Sequence, residues 1–348
     1  MRLSLYLTAA ATLALTACDG GSSAGGGGGI RPLRIVGSST VYPFTTAVAE
    51  QYARANPAYG APTVESTGTG GGVKLFCAGV GMQHPDIVNA SRRLKASEYE
   101  DCAKNGVKDI VELQIGIDGL AFVEANSAEA FKLTVPQLYQ ALAKTPYGKP
   151  QTAKLWSDID PSLPKIAIQV YGPPPTSGTR DALAELILAK GCDANPEMKA
   201  LKASDEDRHK EICTTVREDG PFIEAGENDN LMIQKVAGNP GSLGILGYSF
   251  LEKNTDRVRG VALNGIDPTY ATISSFEYPG ARPLYIYVKS AHLNAIPGLK
   301  EFVAEYARGW KPDGYLTRRG LIAAPEDVRA ANEKTAVSLT PLDKAALK

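Results

Sequence analysis

The chain is expected to be an α/β protein of two lobes joined by two crossing segments, with a ligand site between the lobes. Three observations lead there. Strand-like and helix-like runs alternate along most of the 348 residues, the pattern of sheets with mostly parallel strands. Three of the strand-like runs end in clusters of Gly, Ser and Thr that open directly into a helix. Two apolar, Gly-marked runs, Ile110 to Val123 and Ser242 to Leu251, read as the crossings. With 43% hydrophobic residues, a chain of this length can fill two cores.

Taken in order, Arg2, the apolar run Leu3 to Leu15 and the small residues before Cys18 read as an export signal over residues 1–17. Its apolar run of about thirteen residues falls short of the roughly twenty that span a bilayer. Leu15-Thr16-Ala17-Cys18 is similar to a bacterial lipobox, whose Cys is lipidated and becomes the first mature residue, so Cys18 is the expected lipidation site. Residues 18–30, nearly all Gly and Ser after Asp19, then serve as a flexible tether.

The first lobe opens with strand Leu33 to Val36, turn Gly37-Ser38-Ser39-Thr40 and, led by Pro43, helix Phe44 to Ala55. Strand Thr63 to Ser66 leads through Thr67 to Gly72 into a helix Val73 to Ala78. Strand Ile87 to Ala90 and a helix from Ser97 follow. Beyond the first crossing come helix Val135 to Leu142, strand Ile166 to Tyr171, turn Gly172 to Thr179, helix Arg180 to Lys190 and a charged helical stretch Asp205 to Glu218. The tail adds strand Pro283 to Val288 and helices near Leu299 to Arg308 and Pro325 to Thr335. Lobe I is thus expected at 31–122 and 250–348, with lobe II, 123–249, inserted.

Three such turns point to an oxyanion. A helix N-terminus presents unpaired N–H groups and roughly half a positive charge, Ser and Thr hydroxyls add donors, and Gly lets a ligand come close. Ligands of open α/β sheets sit at the carboxyl ends of strands, where all three turns lie. The same residues admit plainer roles. Ser39 and Thr40 could be helix caps, Gly70 to Gly72 only a tight turn, Arg180 a partner of Asp181 or Glu185, and Arg93 a solvated cation.

The formal net charge of −1, with no basic tract, gives no ground for a nucleic-acid partner. Four cysteines remain besides Cys18: Cys77, Cys102, Cys192 and Cys213. In an exported chain they suggest disulfides. Cys77 with Cys102 and Cys192 with Cys213 are the local choices among three pairings, which the sequence leaves open. No Cys-x-x-Cys occurs and His84, His209 and His292 are scattered, so no metal is expected.

Catalysis finds little support. There is no Gly-x-x-x-x-Gly-Lys-Ser/Thr. Gly68 to Val73 misses the last Gly of a dinucleotide fingerprint by one residue. Pro240 stands where a Gly-x-Ser-x-Gly around Ser242 needs its first Gly. No enzyme activity and no cofactor are expected, a phosphate-ester hydrolase being the rival within that class.

In order and spacing the motifs resemble the periplasmic phosphate-binding proteins of bacterial phosphate ABC importers, over nearly all of the mature chain. Gly37-Ser38-Ser39-Thr40-Val41-Tyr42-Pro43 is similar to that family's first phosphate loop and Thr67 to Lys74 to its second. Ala90-Ser91-Arg92-Arg93-Leu94 sits where a third contact lies, Ser177-Gly178-Thr179-Arg180-Asp181 is similar to the fourth, and Ile115 to Leu120 to the crossing strand. The resemblance implies a type II periplasmic binding protein, closing its lobes on inorganic phosphate and delivering it to an inner-membrane permease with its ATPase. It implies phosphate contacts from Ser39, Thr40, Val41, Thr69, Gly70, Arg92, Ser177, Gly178, Thr179 and Arg180. The expected form is a monomer in the periplasm, touching membrane only through its lipid anchor. The inner membrane is favoured, with the outer membrane or an extracellular position as alternatives.

Two departures bear on specificity. Many members have Asp at the position of Arg92, where it accepts the proton of phosphate and so rejects sulfate. Here another acceptor is needed: Asp181, Glu65 or a backbone carbonyl. Pro173-Pro174-Pro175 stiffens the fourth loop and removes three donors. Both leave room for a different reading, a lipid-anchored scavenger of another oxyanion or an organic phosphate, without a permease.

Overall fold

The computed structural model describes residues 31–226 and 228–347. The export signal, Cys18 and the tether lie outside the described residues. The strands are β1 Arg34–Gly37, β2 Thr63–Ser66, β3 Ile87–Ala90, β4 Ile110–Ala125, β5 Lys132–Leu133, β6 Val170–Gly172, β7 Phe222–Glu224, β8 Leu243–Gly247, β9 Val258–Gly260, β10 Ala262–Leu263 and β11 Ala281–Lys289. The first four helices are α1 Tyr42–Ala55, α2 Thr69–Phe76, α3 Ala96–Lys104 and α4 Val135–Leu142.

One sheet runs through both halves of the molecule in the order β2-β1-β3-β11-β4-β8-β6-β7, with β9 also on β4. The pairs among β1, β2 and β3, and among β6, β7 and β8, are parallel, as expected. The antiparallel pairs all involve β4 or β11, the strands that link the halves. Along β4, Ile110 to Gly119 pair with β11, and from Leu120 the same strand pairs with β8.

Alternation along the strands sorts side chains between two faces, as a two-residue period requires. In the first half Ile35 and Ile286 join Val48, Tyr52, Phe302 and Tyr306 on one face. Val36 and Tyr287 join Val73 and Phe76 on the other. The first-half sheet is therefore covered on both faces, by α1 and helices Leu299–Gly309 and Glu326–Ser338 on one side and by α2 on the other. A separate core fills the second half around Leu138, Tyr139, Trp156, Val170, Ile187 and Ile245.

Several elements differ from expectation. The return does not happen at Ser242 to Leu251. That run forms β8 and helix Tyr248–Glu252, and β9 still pairs with the far end of β4. The chain comes back at β11, whose Ala281 lies opposite Gly119. A short run buried throughout carries no period that tells a crossing from an ordinary central strand. Of Ile166 to Tyr171, only Val170 onward enters the sheet, because Ile168 instead donates its N–H to Lys154 O at 2.8 Å and Ala167 bridges Leu155. The charged stretch from Asp205 is helical over Glu206–Thr214. Past it, Val216 bridges Ala143 and the buried Arg217 fastens onto Ala141 O and Ala153 O, both at 2.9 Å. Helix α2 starts at Thr69, inside the Gly tract, rather than at Val73.

Both local disulfides form, Cys77 with Cys102 and Cys192 with Cys213. The first ties the end of α2 to α3, the second ties helix Ala189–Cys192 to helix Glu206–Thr214. Among the described residues no helix is long and apolar enough to cross a membrane.

Candidate functional site

The first turn is built on Gly37, whose φ of 130° only Gly adopts freely and whose added Cβ would meet Asn89 O at 2.2 Å. Ser38 N–H donates to Asn89 O at 3.0 Å, which pins the turn to the end of β3. Helix α1 then begins with Val41 as its cap residue and no side-chain cap. Capping is therefore not what Ser39 and Thr40 do. The Ser39 hydroxyl donates to the Asp181 carboxylate of the second half. The Thr40 hydroxyl donates at 3.3 Å to Gly178 O and accepts from Arg282 Nη2–H at 2.7 Å. Val41 is fully buried, and its N–H faces Ser38 Oγ at 3.4 Å.

The second turn is laced to the first by Thr67 N–H, which donates to Gly37 O at 2.9 Å. Helix α2 also starts without a side-chain cap, from Gly68 at a φ of 70°. Thr69 Oγ1 accepts from Ser91 N–H at 3.1 Å and shares a second hydrogen bond with Ser91 Oγ at 3.1 Å. Above Gly70 a Cβ would meet nothing within 4 Å, so that stretch of helix end faces open space. Arg92 turns away onto α3, where its fork grips Glu98 at 2.9 and 2.7 Å. That grip raises Arg92 above the ordinary guanidinium value. Arg93 forks onto Glu112 and donates to Ala346 O at 2.8 Å.

In the third turn the prolines act through their carbonyls. Ser177 N–H donates to Pro174 O at 3.0 Å and Arg180 Nη1–H to Pro173 O at 2.9 Å. Ser177 caps helix Gly178–Ala182 by accepting Thr179 N–H at 3.2 Å. Arg180 pairs with neither Asp181 nor Glu185: its guanidinium lies 4.5 Å from the centre of the Phe222 ring and 3.6 Å from Glu224. Burial lowers its pKa, with Glu224 pulling the other way. A Cβ on Gly178 would come within 2.9 Å of Thr40 Cα, so the third turn rests directly on the first.

Three adjoining clefts surround this contact. One of ≈ 460 Å³ is lined by Ser38, Ser39, Thr40, Thr69, Ser91, Arg180 and Asp181, bringing all three turns to one space. Ser177, Gly178 and Thr179 line a neighbouring cleft of ≈ 430 Å³ on the other side of Thr40, together with Asp118 and Asp229. A wider cleft of ≈ 740 Å³ leads outward past Gly70, Arg92 and Arg282. Burial pushes the Asp229 carboxyl up to about 6. Asp118 is pushed up by burial and pulled down by Arg282.

Four groups at these clefts escaped or only brushed the sequence reading. Ser38 and Ser91 sat inside quoted motifs without being singled out, and Asp181 was one of three acceptor alternatives. Arg282 was missed. Its one signal is a cation at the start of an otherwise buried strand, and register alone sets it opposite Asp118. Cys192, His209 and Cys213 cluster within 4.8 Å, but both sulfurs are spent in the disulfide and His209 Nε2 faces Asp193 at 2.7 Å.

Residues 22–308 match the family described as the PBP superfamily domain. The phosphate-binding protein PstS of Staphylococcus saprophyticus is 32% identical over 302 residues, which cover 84% of this chain and 81% of that protein. Protein SphX of Synechococcus elongatus is 32% identical over 258 residues, 72% of this chain and 66% of that one. The crystal structure of a possible phosphate binding protein from Planctomyces limnophilus superposes with a TM-score of 0.70 at 28% identity, covering 89% of this chain and 98% of that chain.

Proposed function

We infer the function from one premise: this chain belongs to the PBP superfamily, as a substrate-binding protein of the phosphate ABC importer type, with the type II fold. It binds inorganic phosphate outside the cytoplasm and serves ABC import. The observation that carries this for the chain's own residues is the meeting of two uncapped helix ends. α1 and α2 both begin without a side-chain cap, and the hydroxyls of Ser39, Thr40, Thr69 and Ser91 line the cleft beside them. The open end of α2, neutral hydroxyls and two cations, Arg180 and Lys210, suit a small tetrahedral anion.

The finer parts are our reading. The lobes are the two halves of the sheet, hinged where β4 and β11 pass side by side at Gly119 and Ala281. Lobe II then runs on through β9 and β10 instead of stopping at residue 249. Phosphate sits in the ≈ 460 Å³ cleft, and closure brings Ser177, Gly178 and Thr179 to it from the adjoining side. Val41 and Gly70 contribute backbone N–H groups. Arg92, held by Glu98, contributes charge at the outer cleft more than direct contact. Asp181 is the proton acceptor we favour, since it lines this cleft whereas Glu65 is exposed on β2. A carboxylate there accepts the proton of phosphate and repels sulfate, which has none.

The protein acts as a monomer, anchored through Cys18 to the inner membrane, and hands its ligand to a permease with its ATPase. It carries out no reaction. A second reading, uptake of an organic phosphate, draws on the ≈ 740 Å³ outer cleft beside the second turn.

Calorimetric titration of residues 30–348, stripped of ligand by unfolding and refolding, decides among these. Tight phosphate binding without a sulfate signal is expected, and Asp181→Asn should admit sulfate. Equal affinity for both anions in the unaltered protein would overturn the Asp181 assignment. Binding of a phosphate monoester alone would favour the second reading, and release of free phosphate from it would establish catalysis.

A further inference from the structure

We propose that Arg282 is a positioning residue that turns the Thr40 hydroxyl into an obligatory donor for the anion. The proposal rests on the anion reading of the cleft given above. Arg282 is the second residue of β11 and is 4% exposed. Its three nitrogens go three ways: Nε donates to Asp118 at 3.0 Å, Nη1 to Glu185 at 2.5 Å and Nη2 to Thr40 Oγ1 at 2.7 Å. Asp118 lies opposite it on β4, Glu185 belongs to the second half, and Thr40 is in the first anion turn. One buried fork thus joins the linking strands, the far lobe and the site.

The consequence follows from what a hydroxyl can do. Thr40 Oγ has one proton and two lone pairs. A charged N–H at 2.7 Å occupies one lone pair, so the oxygen is committed as an acceptor on that side and its proton must go elsewhere. That proton meets Gly178 O at 3.3 Å, well beyond the usual 2.7–2.8 Å of a good O–H···O bond. A strong donor behind and a weak acceptor in front leave the proton available to any better acceptor. Hydrogen bonds in series also strengthen one another, so the cation makes Thr40 a better donor than a free threonine. Of the two clefts that Thr40 lines, the one shared with Ser39 and Thr69, where all three turns meet, is the place for such an acceptor. Asp118 and Glu185 flank the same guanidinium, so most of its charge is already balanced. Its contribution to an anion is passed on through the hydroxyl rather than made by direct contact.

A double-mutant cycle tests this. Arg282→Gln and Thr40→Val should each weaken phosphate binding about 10- to 100-fold, the span for a lost charge-assisted hydrogen bond. The double variant should bind no more weakly than the worse single one, because Arg282 has nothing to act on once the hydroxyl is gone. Thr40→Ser should restore both the affinity and its dependence on Arg282. Losses that multiply in the double variant would overturn the proposal, as would Arg282→Gln binding like the unaltered protein. If Arg282→Gln does not fold, Arg282→Lys replaces it in the cycle: it keeps a cation beside Asp118 but cannot hold three partners at once. Denaturant melts of the ligand-free variants separate lost stability from lost affinity. Should the unaltered protein ignore phosphate and take sulfate or a monoester, the phosphate reading fails, and the same cycle run with that anion still decides the role of Arg282.

Discussion

Thr69 and Ser91 show why hydroxyls at this site are more than helix caps. Ser91 N–H occupies a lone pair of Thr69 Oγ1, and the two hydroxyls face one another at 3.1 Å, so one proton of the pair is left for the cleft. Thr69→Ala is therefore expected to weaken phosphate binding by about 1.5–3 kcal/mol, the range for a hydrogen bond to a charged partner. Ser91→Ala should do the same, and calorimetry showing retained affinity in both would move the site elsewhere. Asp229 has a different signature. Burial pushes its carboxyl up to about 6, so the folded state holds a proton that the unfolded chain gives up near pH 4. Stability from this group is full below pH 4 and is lost as the pH rises towards 6. Asp229→Asn should hence stabilise the ligand-free protein at pH 7 by about 1–3 kcal/mol and have little effect near pH 4. Thermal melts at the two pH values check the sign; equal shifts at both would show that the carboxyl titrates normally.

Helix α2 owes its position to glycine contacts more than to helix propensity. A Cβ on Gly72 would lie 2.5 Å from Gly37 Cα and 3.0 Å from Gly37 N, so the helix packs on β1 only without a side chain there. Gly72→Ala is expected to cost about 1–3 kcal/mol of stability, as overpacking does. It should weaken phosphate binding as well, although Gly72 contributes no ligand group, because the end of α2 is pushed out of line. A variant with unchanged melting and unchanged affinity would contradict this packing. The far end of the same helix is held by Cys77, bonded to Cys102 across 25 residues of chain. Replacing both by Ser should cost about 3 kcal/mol.

For the molecule as a whole, the two halves are joined directly by Ser39 to Asp181, Thr40 to Gly178 and Arg282 to Glu185. An anion that adds bonds to both sides of this seam favours closure by as much as it prefers the closed state, and no more. Saturating phosphate should raise the melting temperature in proportion to the logarithm of its concentration. Since most of the donors are neutral and set in a cleft, affinity should change little between low and moderate salt. A steep salt dependence, read by titration, would instead point to the exposed cations of the outer cleft. Much of this was legible in the sequence. Strands and helices such as Thr63 to Ser66 and Val135 to Leu142 were readable to the residue, because periodicity and flanking Gly or Pro are local signals. The three turns were legible for the same reason: Gly, Ser and Thr at the end of a strand announce the start of a helix. What local signals cannot carry is pairing across long separations. That the chain returns at Ala281, and that Arg282, 242 residues from Thr40, meets its hydroxyl were decided only by the sheet order and register that bring those strands together.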